Sequence, residues 1–423
     1  MGSLFKLAFR NVFRFKRRTF ITFTAVSVGL ALLIIMICLM NGVDKQSIDN
    51  IVNSETSHIK IFKRGYFEKK DELPMDLRID DADDVRSWLS DRPEIRRMEK
   101  RILFGASIIK GMDELPCLGV AMEPEQDPFI FNIKASLLEG DWLKPDDTGI
   151  LIGKDLADDV GLKVGDLVTV RLISSSDREN FSWNALDVEV KGLFDTGNPN
   201  TDGQVLILPL ARAQQALSMG SGATELVIRL NVADPTDPSI EATRKEVQAI
   251  LKRRGADLEV YSWKELAGEF LIISKMKTRN SSMIIMIMLI IAAMGIANTM
   301  LMAVLERTRE IGMLAALGMK KSQILVLFLI EGGIIGVIGS LVGCLLGGLG
   351  GWYLQVHGWK LGSEAFGDIT ASFYPLKNVF YADLSLDVLV MTFVLGTVIA
   401  VVTSFYPALK AARLNPVDAL RHI

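Results

Sequence analysis

Four stretches of the chain carry no Asp, Glu, Lys or Arg over a length that matters: Thr19 to Gly42, Ser281 to Leu305, Gly332 to Gln355 and Val388 to Leu409. As helices rising about 1.5 Å per residue, each is long enough to cross the roughly 30 Å hydrocarbon core of a bilayer. The residues between the first and second runs have another texture. Short alternating runs, His58 to Phe62, Val168 to Leu172 and Glu225 to Leu230, predict strands. Ala82 to Leu89, Leu210 to Ser218 and Pro238 to Arg254 have helical spacing, the last placing Ile240, Val247 and Leu251 on one face. The fold class predicted is an integral membrane α-helical protein with four transmembrane helices and a large α+β extracytoplasmic domain between helices 1 and 2.

The patterning sets boundaries: a basic amphipathic N-terminus at 1–18, spans at 19–42, 281–305, 324–353 and 387–407, the outer domain with its stalk ends at 43–280, a cytoplasmic segment at 306–323, an outer loop at 354–386 and a cytoplasmic tail at 408–423. The apolar stripes do not stop at the membrane. Val43, Ile48, Ile51 and Val52 continue the first span, and Trp263, Leu266, Phe270, Ile273 and Met276 precede the second at three- and four-residue steps. Both spans are expected to project outward as stalk helices.

Charge fixes the orientation. The 423 residues hold 47 Lys and Arg against 50 Asp and Glu, a net charge of −3 at a mean hydropathy of +0.30. Lys6 to Arg18 has six basic residues and no acid, Glu306 to Lys321 has four basic and two acidic, and Lys410 to Arg421 three and one, whereas 43–280 holds 32 basic and 42 acidic. Lys and Arg crowd short loops on the cytoplasmic side, so both termini and the 306–321 loop are expected there and the acidic domain outside. A purely soluble, collagen-like or disordered chain is excluded. The first run is about 22 residues with no small-residue cleavage pattern near Cys38, which favours an anchor over a removed signal peptide. Cys117 is the lone cysteine of the outer domain, so no internal disulfide is expected there, and His58, His357 and His422 lie too far apart in the chain to suggest a histidine metal site. No nucleic-acid motif accompanies the basic residues.

Three stretches are distinctive. Gly149 to Val170 (GILIGKDLADDVGLKVGDLVTV) places Gly161 and Gly165 at a helix end and the turn into a strand, and Val190 to Asp202 (VKGLFDTGNPNTD) contains a Gly-Asn-Pro turn. Glu306 to Gly318 (ERTREIGMLAALG) reads as a helix continuing the second span, with its charges at the membrane exit. Together with the closing Tyr406 to Arg421 (YPALKAARLNPVDALR), in which Pro407 is expected to end or kink the fourth span and Pro416 to begin a short helix, these residues resemble the permease subunits of MacB-type ABC transporters. That family takes in lipoprotein-releasing permeases, MacB itself and FtsX, and the resemblance runs over essentially the whole chain.

The resemblance implies porter-like and sabre-like subdomains in the outer domain and a segment that docks on an ATPase, here Glu306, Arg307, Arg309, Glu310, Ile311, Gly312, Leu314 and Gly318. No P-loop accompanies it: the lone Gly-Lys pair, Gly153-Lys154, is followed by Asp155 and has Thr148 where the first glycine belongs. The chain is therefore expected to be a non-catalytic subunit that binds no cofactor, with ATP and magnesium on two copies of a separate cytoplasmic ATPase and with a second permease protomer, the same or homologous. Extraction of lipoproteins from the inner membrane of a bacterium and their release to a periplasmic acceptor is the expected function. The alternatives are MacB-like export of peptides, toxins or antibiotics and FtsX-like signalling to a cell-wall hydrolase. Membrane lipids are partners in every case. Lipid or lipoprotein contacts are expected along the stalks at Met40, Val43, Ile48, Ile51, Phe270, Ile273 and Met276.

Two features sit within the third span. Gly332, Gly336, Gly339, Gly343 and Gly347 form a ridge of small residues that allows close helix packing, within the chain or between protomers. Glu331 is the ionisable side chain nearest a span interior, and a structural ion pair is expected for it in preference to proton coupling.

Overall fold

The computed structural model describes residues 2–14, 16–177, 180–360 and 379–415. Among these, α1 (Gly2–Arg14) is followed by α2 (Lys16–Ile51), which ends in a π-helical turn, Val52–Thr56. Next come β1 (Ile59–Lys63), α3 (Ala82–Leu89), β2 (Ile95–Lys110), β3 (Asp113–Met122), β4 (Leu137–Gly140), β5 (Ile150–Gly153), α4 (Lys154–Val160), β6 (Leu167–Asp177), β7 (Asn180–Phe194), α5 (Pro199–Gln204) and β8 (Val205–Pro209). The outer domain closes with α6 (Leu210–Ala216), β9 (Glu225–Leu230), α7 (Ser239–Arg253), β10 (Leu258–Ser262) and α8 (Trp263–Leu266). The remainder is α9 (Gly268–Glu306), α10 (Thr308–Ala316), α11 (Lys321–His357), β11 (Trp359–Lys360), β12 (Val379–Phe380) and α12 (Leu386–Ala412).

The chain forms two compact units, one holding the described residues up to Lys45, Ser274–Lys360 and those from Val379 on, the other Gln46–Ile273. In the second unit the strands form a mixed ten-stranded sheet in the order β10-β1-β9-β2-β3-β8-β5-β7-β4, with β6 pairing β2 and β7. Most neighbours are antiparallel, but β3 pairs β8 and β5 pairs β7 in parallel, as the crossovers through helices require. One apolar cluster gathers Ile59, Ile61, Leu89, Leu226, Ile240, Val247, Leu251 and Trp263. A second gathers Ile102, Phe104, Ile150, Ile152, Val188, Val190 and Leu206. Gly161 caps α4 at φ +65° and Gly165 turns into β6 at φ +92°, conformations a Cβ disfavours. In the Gly-Asn-Pro turn, Asn198 caps α5 by accepting from the Asn200 N–H at 3.1 Å, with Pro199 in the first turn.

The first unit contains the apolar helices, four of which are long and apolar enough to cross a membrane. α1 is amphipathic: Ala8 and Val12 are buried against the spans, whereas Phe5, Phe9 and Phe13 form an outward aromatic stripe, each about half exposed. The expected outer loop 354–386 begins within α11, and its residues 361–378 lie outside the described residues. Two local expectations are corrected. The helix of the second span does not continue through the charged segment but stops at Glu306, with Arg307 at φ −107°, ψ 17° before α10 begins. Of the two outcomes expected at Pro407, an end or a kink, the end is not found: Pro407 lies inside α12, which runs on to Ala412. Pro416 lies outside the described residues.

Candidate functional site

The helix break at Arg307 has a visible cause. Arg307 is 4% exposed, and its Nη1 donates to both carboxylate oxygens of Glu331 at 3.0 Å. A guanidinium buried this deeply is tolerated only when paired on several sides. Its Nε donates to Glu310 Oε2 at 3.2 Å, and its plane lies 5.4 Å from the centroid of Phe328. Glu331 also accepts from Asn11 Nδ2 at 2.8 Å, and Glu310 pairs with Arg14 at 3.0 Å. Five side chains from α1, α10, α11 and the α9–α10 joint thus form one network. Glu331 has the ion pair expected of it. Its partner, and the part played by Asn11 and Arg14, were not foreseen; pairing across 24 and 320 residues leaves no local sequence signal.

This anchorage gives α10 two sides. Thr308, Ile311 and Gly312 are buried, Ile311 in the cluster that holds Val304, Leu327 and Phe328. Arg309, Met313 and Leu317 are exposed, Leu317 at 86%. Glu306 and Gly318 are exposed, Leu314 half-buried, and Gly318 turns the chain at φ +93°. Of the expected docking residues, Ile311, Gly312 and Arg307 therefore hold the helix in place, while Glu306 and Arg309 face outward. Met313 and Leu317, one helical turn apart, lie on the side away from Ile311, a spacing readable in the sequence.

The glycine ridge of α11 faces neighbouring helices of the same chain. A Cβ at Gly332 would strike Ser404, and at Gly336 it would stand 2.6 Å from the Ala400 Cβ, both on α12. At Gly339, Gly343 and Gly347 it would come within 2.9 Å of Val26, Leu30 and Ile34 on α2. Ser27 Oγ donates to the Gly339 carbonyl at 3.0 Å, a bond only such close approach permits.

The residues expected to contact lipid divide between the two units. Ile51 and Phe270 belong to the core of the outer domain, with Ile48 packed against it and Ile273 half-buried. Their first role is packing. In the other unit Met40 and Val43 are half-buried and Met276 is 58% exposed. Beside them Lys277 Nζ pairs with Asp44 at 2.7 Å, tying α9 to α2. Ionisable groups of the outer domain are shifted by burial: the His58 imidazole is pushed down to about 3, the Cys117 thiol up to about 12, and the Glu99 and Asp127 carboxyls upward around Arg101.

Known proteins are similar to this chain over most of its length. Residues 19–250 match the MacB-like periplasmic core domain, and residues 282–416 the FtsX-like permease C-terminal region. The lipoprotein-releasing system transmembrane protein LolC of Xylella fastidiosa is 27% identical over 97% of this chain and 96% of its own length. The macrolide export ATP-binding/permease protein MacB of Neisseria meningitidis is 24% identical over 98% of this chain, which spans only 60% of that relative. Among solved structures, the periplasmic region of MacB from Actinobacillus actinomycetemcomitans aligns over 53% of this chain and 97% of its own at 12% identity, with a TM-score of 0.36.

Proposed function

This chain belongs to the ABC transporter permeases that join a MacB-like periplasmic core domain to an FtsX-like C-terminal region, and from that premise we propose that it passes the motion of a cytoplasmic ATPase to its outer domain in order to release lipoproteins from the inner membrane. The carrying observation is the buried Arg307–Glu331 pair, which fixes α10 to the third span while Met313, Leu317 and Arg309 remain outward. A short helix held by a desolvated ion pair moves as one piece with the span it is bound to. The exposed Met313 and Leu317 supply an apolar contact for a partner, and Arg309 a charged one. ATP and magnesium belong in this reading to that partner, present in two copies beside a second permease protomer.

Release of lipoproteins is preferred as the cargo because the LolC relative aligns end to end. Export in the manner named for the MacB relative is the second reading, supported by the core-domain match. The test is reconstitution of the full chain with its ATPase in proteoliposomes carrying a triacylated lipoprotein. ATP-dependent transfer of that lipoprotein to a soluble fraction supports the first reading. Failure to release it, with ATP-dependent movement of a macrolide or peptide instead, supports the second. Leu317→Asp and Met313→Asp should separate the ATPase from the permease while leaving thermal unfolding unchanged; normal ATPase association in both variants would refute the docking assignment.

A further inference from the structure

The outer-domain unit contains a cavity of about 170 Å³, an order of magnitude beyond the roughly 10–15 Å³ that one water needs. It opens on one face of the sheet, where alternate residues of β1, β2, β3 and β8 converge: Lys60 and Phe62, Arg101 and Leu103, Leu118 and Val120, Val205 and Ile207. The face is mostly apolar, with a charged floor. Lys60 Nζ donates to both oxygens of Glu225 at 2.9 Å, and Arg101 is held by Glu99 and Asp127. Those floor charges pair with one another.

Two polar groups in the wall are not spent in this way. Tyr66 is 2% exposed, and its hydroxyl has Thr224 alone beside it, whose Oγ1 already accepts from the Leu103 N–H and donates to the Arg101 carbonyl, so it is left without a hydrogen bond of good geometry. A buried hydroxyl left short of partners is destabilising unless something fills the space beside it. Lys70 places its ammonium 5.4 Å from the Phe67 ring centroid and forms no ion pair with a described residue. The lining charges are Lys60, Lys70 and Arg101 against Glu55 and Glu225, one positive in excess. Glu55 in the wall is hydrogen-bonded to Asn198 and feels the charge of Lys70 without forming an ion pair with it.

The surrounding backbone is unusual as well. Leu73 in the wall has φ +49°, and Ser57, next to the lining residue Thr56, has φ +54°. Such conformations are strained for residues with a side chain and collect at binding sites. Ser54, Glu55 and Thr56 come from the π-helical turn, another feature found at functional positions.

We propose that this cavity binds a compact apolar carboxylate, its body against Phe62, Val120 and Ile207 and its carboxylate held by Lys70 and Tyr66. The aromatic and branched walls exclude a strongly hydrated ligand, and both unspent groups donate to an anionic head. The same chemistry is offered by a free small acid or by the C-terminal carboxylate of an apolar peptide. Binding is measured by isothermal titration on the full chain in nanodiscs, with empty nanodiscs subtracted. The probes are 3-phenylpropanoate, N-acetyl-alanyl-phenylalanine and the corresponding neutral amides. Saturable binding of the acids is expected, with the amides and Lys70→Gln each weaker by about tenfold, the loss of one charge-assisted hydrogen bond. Tyr66→Phe should weaken the acids several-fold. Tighter binding of the peptide acid identifies a chain terminus as the source, and tighter binding of phenylpropanoate a free acid. Absence of saturable binding by either acid, equal binding of acid and amide, or wild-type affinity in Lys70→Gln overturns the proposal. Lys70 is half-buried at the wall, so that variant still decides if Tyr66→Phe fails to fold.

Discussion

Arg307 shows how one side chain can set the path of a chain. Its burial requires a carboxylate, and the nearest available is Glu331 in the third span, so the backbone turns at Arg307. In Glu331→Gln the guanidinium stays buried with the partly exposed Glu310 as its remaining counter-charge, and a loss of up to about 3 kcal/mol is expected in denaturant unfolding of the full chain. Replacing both partners by Met should recover much of that stability but not the coupling between ATP hydrolysis and transport. Full coupling in the double variant would show that the pair only stabilises. Glu331 itself was legible as a carboxylate in an apolar run; its partner was not, because the contact lies across a helix break that propensity does not encode. His58 gives a second residue-scale prediction. Burial, with Arg229 nearby, pushes it from 6.5 to about 3, while its Nδ1 accepts from the Leu230 N–H at 3.1 Å. The unfolded chain takes up a proton below about pH 6.5 that the folded one refuses, so stability falls as pH drops towards 3, by at most about 1.4 kcal/mol per unit. Glu99 and Asp127, raised by burial, contribute the opposite slope. The difference in unfolding midpoint between the protein and His58→Gln, followed against pH, isolates the histidine; a flat difference would contradict its burial as the neutral form.

At the scale of elements, the third span is a spacer-free contact surface, facing α12 through Gly332 and Gly336 and α2 through Gly339, Gly343 and Gly347. Leu at Gly336 or Gly343 would meet Ala400 or Leu30 and force whole helices apart, because helix backbones cannot yield locally. Loss of folded protein in detergent and a thermal midpoint lowered by several degrees are expected. Gly29→Ala, with nothing within 4 Å, should be neutral or stabilising by up to about 1 kcal/mol. Equal effects at Gly29 and Gly336 would mean that the ridge does not pack as described. The four-residue spacing announced a close contact in the sequence, but which helix supplied the other side was not written there. The strands were legible for a different reason: β9, Glu225–Leu230, is a short β-branched and apolar run whose bounds coincide with the sequence prediction, although in the sheet both of its faces are covered and only Arg229 is half-buried. The end of α9 was not legible, since Glu306 to Gly318 has the composition of an uninterrupted helix and only the tertiary pull on Arg307 divides it.

For the whole molecule, the near-neutral total charge is a sum over an acidic outer domain and basic segments beside the spans, a division already present in the order of residues. Association between chains was not present there, because a lipid-facing helix and a helix that meets a partner are equally apolar. The helices distinguish themselves by how much of each its own chain covers. In the most apolar stretch of α11, 56% is buried within the protein, against 11% in α9. Met283, Ile287, Ile290, Ile291 and Met294 on α9 are each at least half exposed. Under the proposed function the second permease protomer meets α9, where an apolar surface is largely uncovered by this chain. In a background with Cys38, Cys117 and Cys344 replaced, Ile291→Cys in the complex with ATPase should form an inter-permease disulfide on mild oxidation. Val390→Cys on α12, 62% exposed, should not. Efficient cross-linking at Val390 and none at Ile291, Ile287 or Met294 would place the partner on α12 and leave α9 to lipid.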